Sequence, residues 1–231
     1  MTTLRQFQDV LGFRFNDRAL LQRALTHSSY INENPNDALE DNERLEFLGD
    51  VVLDFVTSVM LYNRYPEMPE GRMTSMRAAL VRTETLARLA SYLGVGDVLR
   101  LGKGEEEHGG RNRPANLCDA LEALVGAIYL DQGTKAVEKV IEPHFTPAAD
   151  AILSRNLDRD AKSQFQEWSQ AVMGHTPRYN TVRAEGPDHN KRFTVQVTVD
   201  KQVYGEGLGR SKQNAAQRAA ENALAQIKLE L

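Results

Sequence analysis

The chain has 231 residues, 41% of them hydrophobic and 26% charged, with a formal net charge of −4. That is ordinary globular composition, and the length suits one large domain or two smaller ones. A single cysteine, Cys118, excludes an internal disulfide, and the opening MTTLRQFQDV has no apolar core of the kind a signal peptide needs. No apolar run approaches the ~18 residues needed to span a bilayer, so a cytoplasmic protein with no membrane partner is expected. The net charge hides an asymmetry. Residues 156–231 carry eleven Lys and Arg against nine Asp and Glu, leaving seventeen against twenty-three in residues 1–155. This suggests an acidic module joined to a mildly basic one.

In chain order, Leu4, Phe7, Val10 and Leu11 form one helical stripe. Leu20, Leu21, Ala24 and Leu25 form a second, with its cap at Asn16 or Asp17. Further helices are predicted over about 43–63, 73–93 and 117–130, and another from about Lys135. Turn-rich segments at 32–37 (NENPND), 65–71 (YPEMPEG) and 101–114 (LGKGEEEHGGRNRP) separate them. No strand alternation is present, so residues 1–153 are expected to form an all-α domain. The polar stretch SRNLDRDA places a linker at 154–160. The period then changes. A helix over Lys162–Met173 is followed by PRYNTVRAE and by RFTVQVTV, in which Phe193, Val195, Val197 and Val199 alternate with Thr194, Gln196 and Thr198. That alternation is the mark of a strand with one buried face. A short strand at Gln202–Gly205 and an Ala-rich helix from Ser211 to about Leu229 complete the order α-β-β-β-α. Residues 161–231 therefore read as a small α+β domain, helices layered on an antiparallel sheet.

The densest chemical pattern is NERLEFLGDVVLD, residues 42–54. At ~100° per residue, Glu43, Glu46 and Asp50 fall within about 60° of one another, and Leu45, Leu48 and Val52 gather on the opposite side. Phe47 and Leu53 flank the acids on their own half of the helix. Carboxylates held this close raise one another's pKa and cost stability unless a cation is present. An all-oxygen donor set favours Mg²⁺ or Mn²⁺. A solvated acidic helix face would show the same spacing. A second pair, Asp119 and Glu122 in LCDALEALVGAIYLD, again stands i, i+3 on an apolar helix. With Asn116 as N-cap, Asp119 takes the third helical position, where an acid favours the helix dipole. Glu122 lies a turn deeper among Leu121, Leu124 and Val125, where capping does not explain it. Two such pairs on separate apolar helices suit a four-carboxylate metal site. His27 reads as a packed or hydrogen-bonding residue and Cys118 as a small buried apolar one. No Ser-His-Asp order or G-x-S-x-G elbow supports a protein nucleophile.

NERLEFLGD closely resembles the signature of the ribonuclease III catalytic domain, and three further blocks agree in order: LTHSSY at 25–30, PEGRMTSMRAALV at 69–81 and CDALEALVGAIYLD at 118–131. The resemblance covers nearly the whole chain. It implies a homodimeric, Mg²⁺-dependent endonuclease of double-stranded RNA, with Mn²⁺ a substitute. Its products would carry 5′-phosphate and 3′-hydroxyl ends and a two-nucleotide 3′ overhang, and precursor ribosomal RNA would be the first expected substrate. By position, the family's metal carboxylates fall on Glu46, Asp50, Asp119 and Glu122, with Asp50 and Glu122 tied most directly to catalysis. Glu43 and Glu70 match further acids of the catalytic valley, Glu70 serving the partner subunit's site. Two positions depart from the pattern: Asp41 stands where many relatives have His, and Arg72 where an acid is frequent. A relative that kept the fold as a non-catalytic RNA-binding protein would be expected to lack some of the four carboxylates, and all are present.

Residues 161–229 resemble a double-stranded-RNA-binding domain: AKSQFQEWSQ its first helix, GPDHNKRFTV its loop and next strand, GRSKQNAAQRAAENAL its last helix. The resemblance puts Gln166 and His189 against the minor grooves of an RNA duplex, where proteins read 2′-hydroxyls. Lys191 and Lys212 become phosphate contacts, Lys212 at a helix N-terminus whose dipole already favours an anion. Relatives carry consecutive lysines there, whereas Lys212 is followed by Gln213 and Asn214, which implies weaker, less salt-sensitive binding. Trp168 reads as core packing.

Overall fold

The computed structural model describes residues 3–37, 40–154, 161–187 and 191–230, with side chains through Ile227. Two compact units divide the chain between Asp158 and Arg159. Of the linker expected at 154–160, Ser154 ends a helix and the remainder lies outside the described residues.

The first unit is helical: α1 (Leu4–Leu11), α2 (Arg18–Ala24), α3 (Ser28–Glu33), α4 (Glu43–Arg64), α5 (Glu70–Val81), α6 (Thr83–Tyr92), α7 (Val95–Val98), α8 (Lys103–Glu107), α9 (Pro114–Gln132) and α10 (Thr134–Ser154). Asp17 caps α2, its side chain accepting from the Ala19 N–H. The axis of the unit is α9, on which Leu117, Ala120, Leu121, Ala123, Leu124, Val125, Ala127 and Ile128 are all buried. A helix apolar on nearly every side is stable only when other helices surround it. The longest of these, α4, crosses α9 where Gly49 meets Gly126. A Cβ on Gly49 would lie 1.7 Å from the Glu122 carbonyl oxygen, and one on Gly126 would lie 2.3 Å from that of Leu45. Only two glycines allow backbones that close.

The N-terminus of α4 is tied to the core by polar backbone groups. Asn42, 3% exposed, gives its N–H to the Thr26 carbonyl and its side-chain amide to Ala24. Thr26 in turn bridges Arg100, flanked by the bonds Arg100 N to Leu25 O and His27 N to Arg100 O. These backbone donors and acceptors are buried, so each needs a partner, and satisfying them fixes where α4 begins.

Four details of this unit differ from the sequence reading. The helix expected over 73–93 is two, broken at Arg82, whose backbone is extended (φ −66°, ψ 150°). Apolar periodicity runs through the break unchanged, but the Thr85 hydroxyl bonds the Ala79 carbonyl at 2.9 Å and so replaces helix continuation. The segment 101–114 holds the short helix α8 and a 3₁₀ turn at Gly110–Asn112. Val10 is exposed, because α1 turns only Phe7 and Leu11 inward. Leu53 belongs to the core, while Phe47 alone stands out beside the acids at 78% exposure.

The second unit runs α11 (Ala161–Met173), β1 (Arg178–Glu185), β2 (Arg192–Val199), β3 (Gln202–Gly209) and α12 (Lys212–Glu230). Its antiparallel sheet has the order β1-β2-β3, with Tyr179 opposite Val197 and Val197 opposite Gly205. The β2–β3 hairpin turns on Asp200 and Lys201, both at positive φ (44° and 69°), the twist that suits a two-residue connection. β3 extends to Gly209, twice the length expected, because three of its residues are glycines that weaken a strand pattern. Here they form a seat: a Cβ at Gly205, Gly207 or Gly209 would come within 2.2–2.5 Å of the backbone of Ala215 or Ala219 on α12. The core joins Val195, Val197 and Val199 to Ala215, Ala219, Ala223 and Phe165. Trp168 stacks on Phe165 at 5.5 Å and meets Tyr204 edge-on. β3 is an edge strand, and its Glu206 and Leu208 carbonyls accept from the Asn222 amide and the Arg218 guanidinium.

Candidate active site

The α4–α9 crossing decides where the acids go. Glu46 and Asp50 bracket Gly49 on α4, and Asp119 and Glu122 lie on the α9 turns just before Gly126. Because the backbones touch, the two pairs share one region. Asp119 and Glu122 offer oxygens within 4.8 Å of one another and of the Cys118 sulfur. Burial raises the Glu46 carboxyl above its usual range, and the charges of Asp119, Glu43 and Asp50 raise it further. Burial also raises Asp119, with partial relief from His27. Glu122 is raised most, to about 7: burial dominates, Asp50, Asp119 and Glu46 add to it, and a hydrogen bond from Cys118 works against it. Among the described residues, no Lys or Arg forms an ion pair with any of the four. The region is a concentration of negative charge, partly withdrawn from water, that the described residues leave without an ion-pair partner.

The remaining candidates distribute as follows. Glu43, exposed in the first turn of α4, extends the stripe outward from Glu46. Glu70 does not join it. It begins α5, accepts from Thr74 at 2.9 Å and lines a cavity of about 380 Å³ with Phe55, Tyr62, Met73 and Arg77. Asn116 is not the N-cap expected. Arg113 holds that position with Pro114 at N1, and Asn116 is buried, its amide bonding Glu105 at 2.7 Å and the Gly110 carbonyl. Asp119 therefore lies beyond the first turn of α9, and a dipole role no longer accounts for it. His27 caps α3, accepting at Nδ1 from the Ser29 N–H at 3.1 Å. Asp41 accepts at 3.2 Å from the Glu43 N–H.

Sequence reasoning missed the glycines. Gly49 and Gly126 hold no ligand but set the spacing of those that do, and a glycine within one turn of an acid on each of two apolar helices (Gly49 beside Asp50, Gly126 four residues after Glu122) was the available signal. It also missed basic residues in the second unit. Gln166 is exposed on α11, Lys191 is half-buried just before β2, and Lys212 is exposed at the start of α12, which Ser211 caps through the Asn214 N–H. His189 lies outside the described residues. Beside Lys212, a cavity of about 580 Å³ is lined by Arg192, Arg210, Asn214, Arg218 and Glu221. The arginines come from β2, the β3–α12 connection and α12, so no local run of charge announced them.

An all-helical unit with a paired-carboxylate cluster, followed by a small α-β-β-β-α unit with a basic flank, defines a class: a hydrolase domain of the metal-dependent, acid-lined kind coupled to a polyanion-binding module. Comparison with known proteins identifies it further. The pattern described as ribonuclease-III-like matches residues 17–148, and that of the double-stranded RNA binding motif matches residues 161–227. Ribonuclease 3 of Geobacter sulfurreducens is 46% identical over 217 residues, covering 94% of this chain and 88% of that one. Ribonuclease 3 of Pelotomaculum thermopropionicum is 47% identical over 93% of this chain and 89% of the relative. Among solved structures, the nuclease domain of ribonuclease III from Campylobacter jejuni superposes with a TM-score of 0.58 at 36% identity, covering 64% of this chain and 97% of that one. The chain belongs to the ribonuclease III family, whose members are metal-dependent nucleases.

Proposed function

We propose that this chain cuts both strands of duplex RNA at a divalent-cation site formed by Glu46, Asp50, Asp119 and Glu122, with Mg²⁺ the natural ion and Mn²⁺ a substitute. The observation that carries the reading is the unneutralised cluster itself: four carboxyls from two helices, three of them raised. The four acids fit a hard cation, being carboxylate oxygens with no ion-paired Lys or Arg among the described residues; the ligand atoms that lie within 4.8 Å of one another are those of Asp119, Glu122 and Cys118. Such an ion, when bound, supplies a water of lowered pKa and neutralises charge on the phosphate and the leaving 3′ oxygen. The chain's own residues do the rest. Asp50, exposed at the mouth of the cluster, and Glu122, at its buried end, orient the ion relative to the RNA. Glu43 extends the acid stripe outward. Products carry 5′-phosphate and 3′-hydroxyl ends with a two-nucleotide 3′ overhang, and precursor ribosomal RNA and structured transcripts are the substrates.

Cutting both strands calls for two copies, and α4 offers the surface. Phe47, Val51, Phe55 and Tyr62 form an apolar stripe along it, 57–78% exposed, beside the cavity that holds Glu70. An apolar stripe of this extent on a soluble helix marks an interaction site. In a dimer through α4, Glu70 lies at the interface, where it can serve the partner's site. A region involved in dimer formation is named for the Campylobacter nuclease domain. The second unit holds the duplex by shape, Gln166 and His189 at minor grooves and Lys191, Lys212 and the neighbouring arginines at phosphates. The buried free thiol of Cys118 suits the reducing cytoplasm.

The test is incubation of Glu122→Gln with long duplex RNA in Mg²⁺. Cleavage is lost while binding, measured by mobility shift, stays within about twofold of the parent. Near-parental cleavage by that variant removes the site.

A further inference from the structure

We infer that Cys118 is a positioning residue for Glu122: its thiol holds the carboxylate in the orientation that receives the cation. The inference rests on the four-carboxylate reading above. It comes from a buried group for which that reading has no use. Cys118 is 5% exposed, in the interior of the unit, and its Sγ lies 3.5 Å from Glu122 Oε1 with the thiol as donor. The two residues stand i, i+4 on α9, the spacing at which side chains lie one above the other. The thiol is itself approached from another element: Thr83, the first residue of α6, lies close enough to act on it. A chain of contacts therefore runs from the start of α6 through Sγ to the most buried of the four acids.

The arrangement has a physical purpose. Glutamate has three side-chain torsions, and one that faces three other carboxylates across a gap is pushed away from them by charge. Among the described residues no arginine, lysine or backbone N–H bonds the Glu122 carboxylate, and its one hydrogen bond is from Cys118. Fixing Oε1 removes the rotamers in which the carboxylate turns from the cluster, so less freedom is lost when a cation binds. Partners behind a metal ligand act in this way, and their removal typically weakens metal affinity by roughly 10- to 100-fold. A thiol is a weak donor, so the expected effect here is smaller, about three- to tenfold.

The experiment measures Mg²⁺ binding to the full-length protein by titration calorimetry without RNA, together with the Mg²⁺ dependence of cleavage. Cys118→Ala is expected to raise the Mg²⁺ concentration for half-saturation about three- to tenfold in both, with the cleavage rate at saturating Mg²⁺ near that of the parent. Cys118→Ser keeps a donor at the same place and restores affinity to within about twofold. If the alanine variant folds poorly, Cys118→Val fills the volume without a donor and makes the same comparison against serine. Unchanged half-saturation in Ala or Val overturns the inference, as does a serine variant no better than they are, because the thiol would then matter only as packing. Glu122→Gln separates the two levels. If it still binds Mg²⁺ and cleaves, the carboxylate site itself is wrong; if it does not, while Cys118→Ala behaves as the parent, only the positioning role falls.

Discussion

Replacing Glu122 by Gln should make the metal-free protein more stable at alkaline pH while destroying its activity. The folded chain holds this carboxyl at about 7 against an ordinary 4.5, chiefly through burial. A group whose acid form the fold prefers is stabilising only while protonated. Its contribution is present below pH 4.5, declines as pH rises toward 7, and is gone above that, where the folded chain must carry an ionised carboxylate in a poorly solvated place. A raise of that size corresponds to about 3 kcal/mol. Because one side of the group meets solvent, about half is retained, leaving ~1–2 kcal/mol. The glutamine amide is nearly isosteric and never ionises. In chelator at pH 8 the variant should therefore unfold roughly 2–8 °C above the parent, at ~2–4 °C per kcal/mol, and at pH 5 the two should nearly coincide. Scanning calorimetry of the full chain reads both. Adding Mg²⁺ at pH 8 should raise the parent's midpoint and close the gap, since a bound cation stabilises only the state that holds it. A variant no more stable than the parent at pH 8, or equally stabilised at both pH values, refutes the reasoning.

Gly49→Ala should abolish cleavage and cost ~3 kcal/mol or more, because its Cβ would meet the Glu122 carbonyl oxygen at 1.7 Å and the helices must part; denaturant melts and a cleavage assay check it. Lys212→Ala should weaken duplex binding and reduce the log–log salt slope by less than about one. Adding Arg192→Gln and Arg210→Gln should lower the slope further, as titration of binding against salt will show; no added effect removes the arginines from the RNA face. Phe55→Asp places a charge in the apolar stripe of α4 and should shift the protein to monomer in sedimentation analysis, with cleavage falling in parallel.

How much of this was legible beforehand depends on what each signal is made of. The acids and the helices bearing them were visible because carboxylates at i, i+3 and i, i+4 spacing stand out against aliphatic neighbours. That two such pairs suit one site was also legible, but the crossing that holds their helices together was not, because it depends on Gly49 and Gly126, whose lack of a side chain adds nothing to a hydrophobic pattern. The same blindness shortened β3, whose glycines are there for α12. The cap of α9 was misplaced because Asn116 is a good N-cap by type, while its amide is committed to Glu105 on the preceding segment, a tertiary contact that local sequence does not show. Arg82 ends α5 through backbone geometry that apolar periodicity passes over. In the second unit, alternation made β2 plain and left its arginine flank unseen.

The edge of β3 has a consequence for how copies of this small unit meet one another. A bare strand edge would let neighbouring copies zip together into a growing ribbon. With Arg218 and Asn222 occupying the Leu208 and Glu206 carbonyls, that border has fewer open acceptors to offer. Copies that meet at this edge then have less to hold them strand to strand.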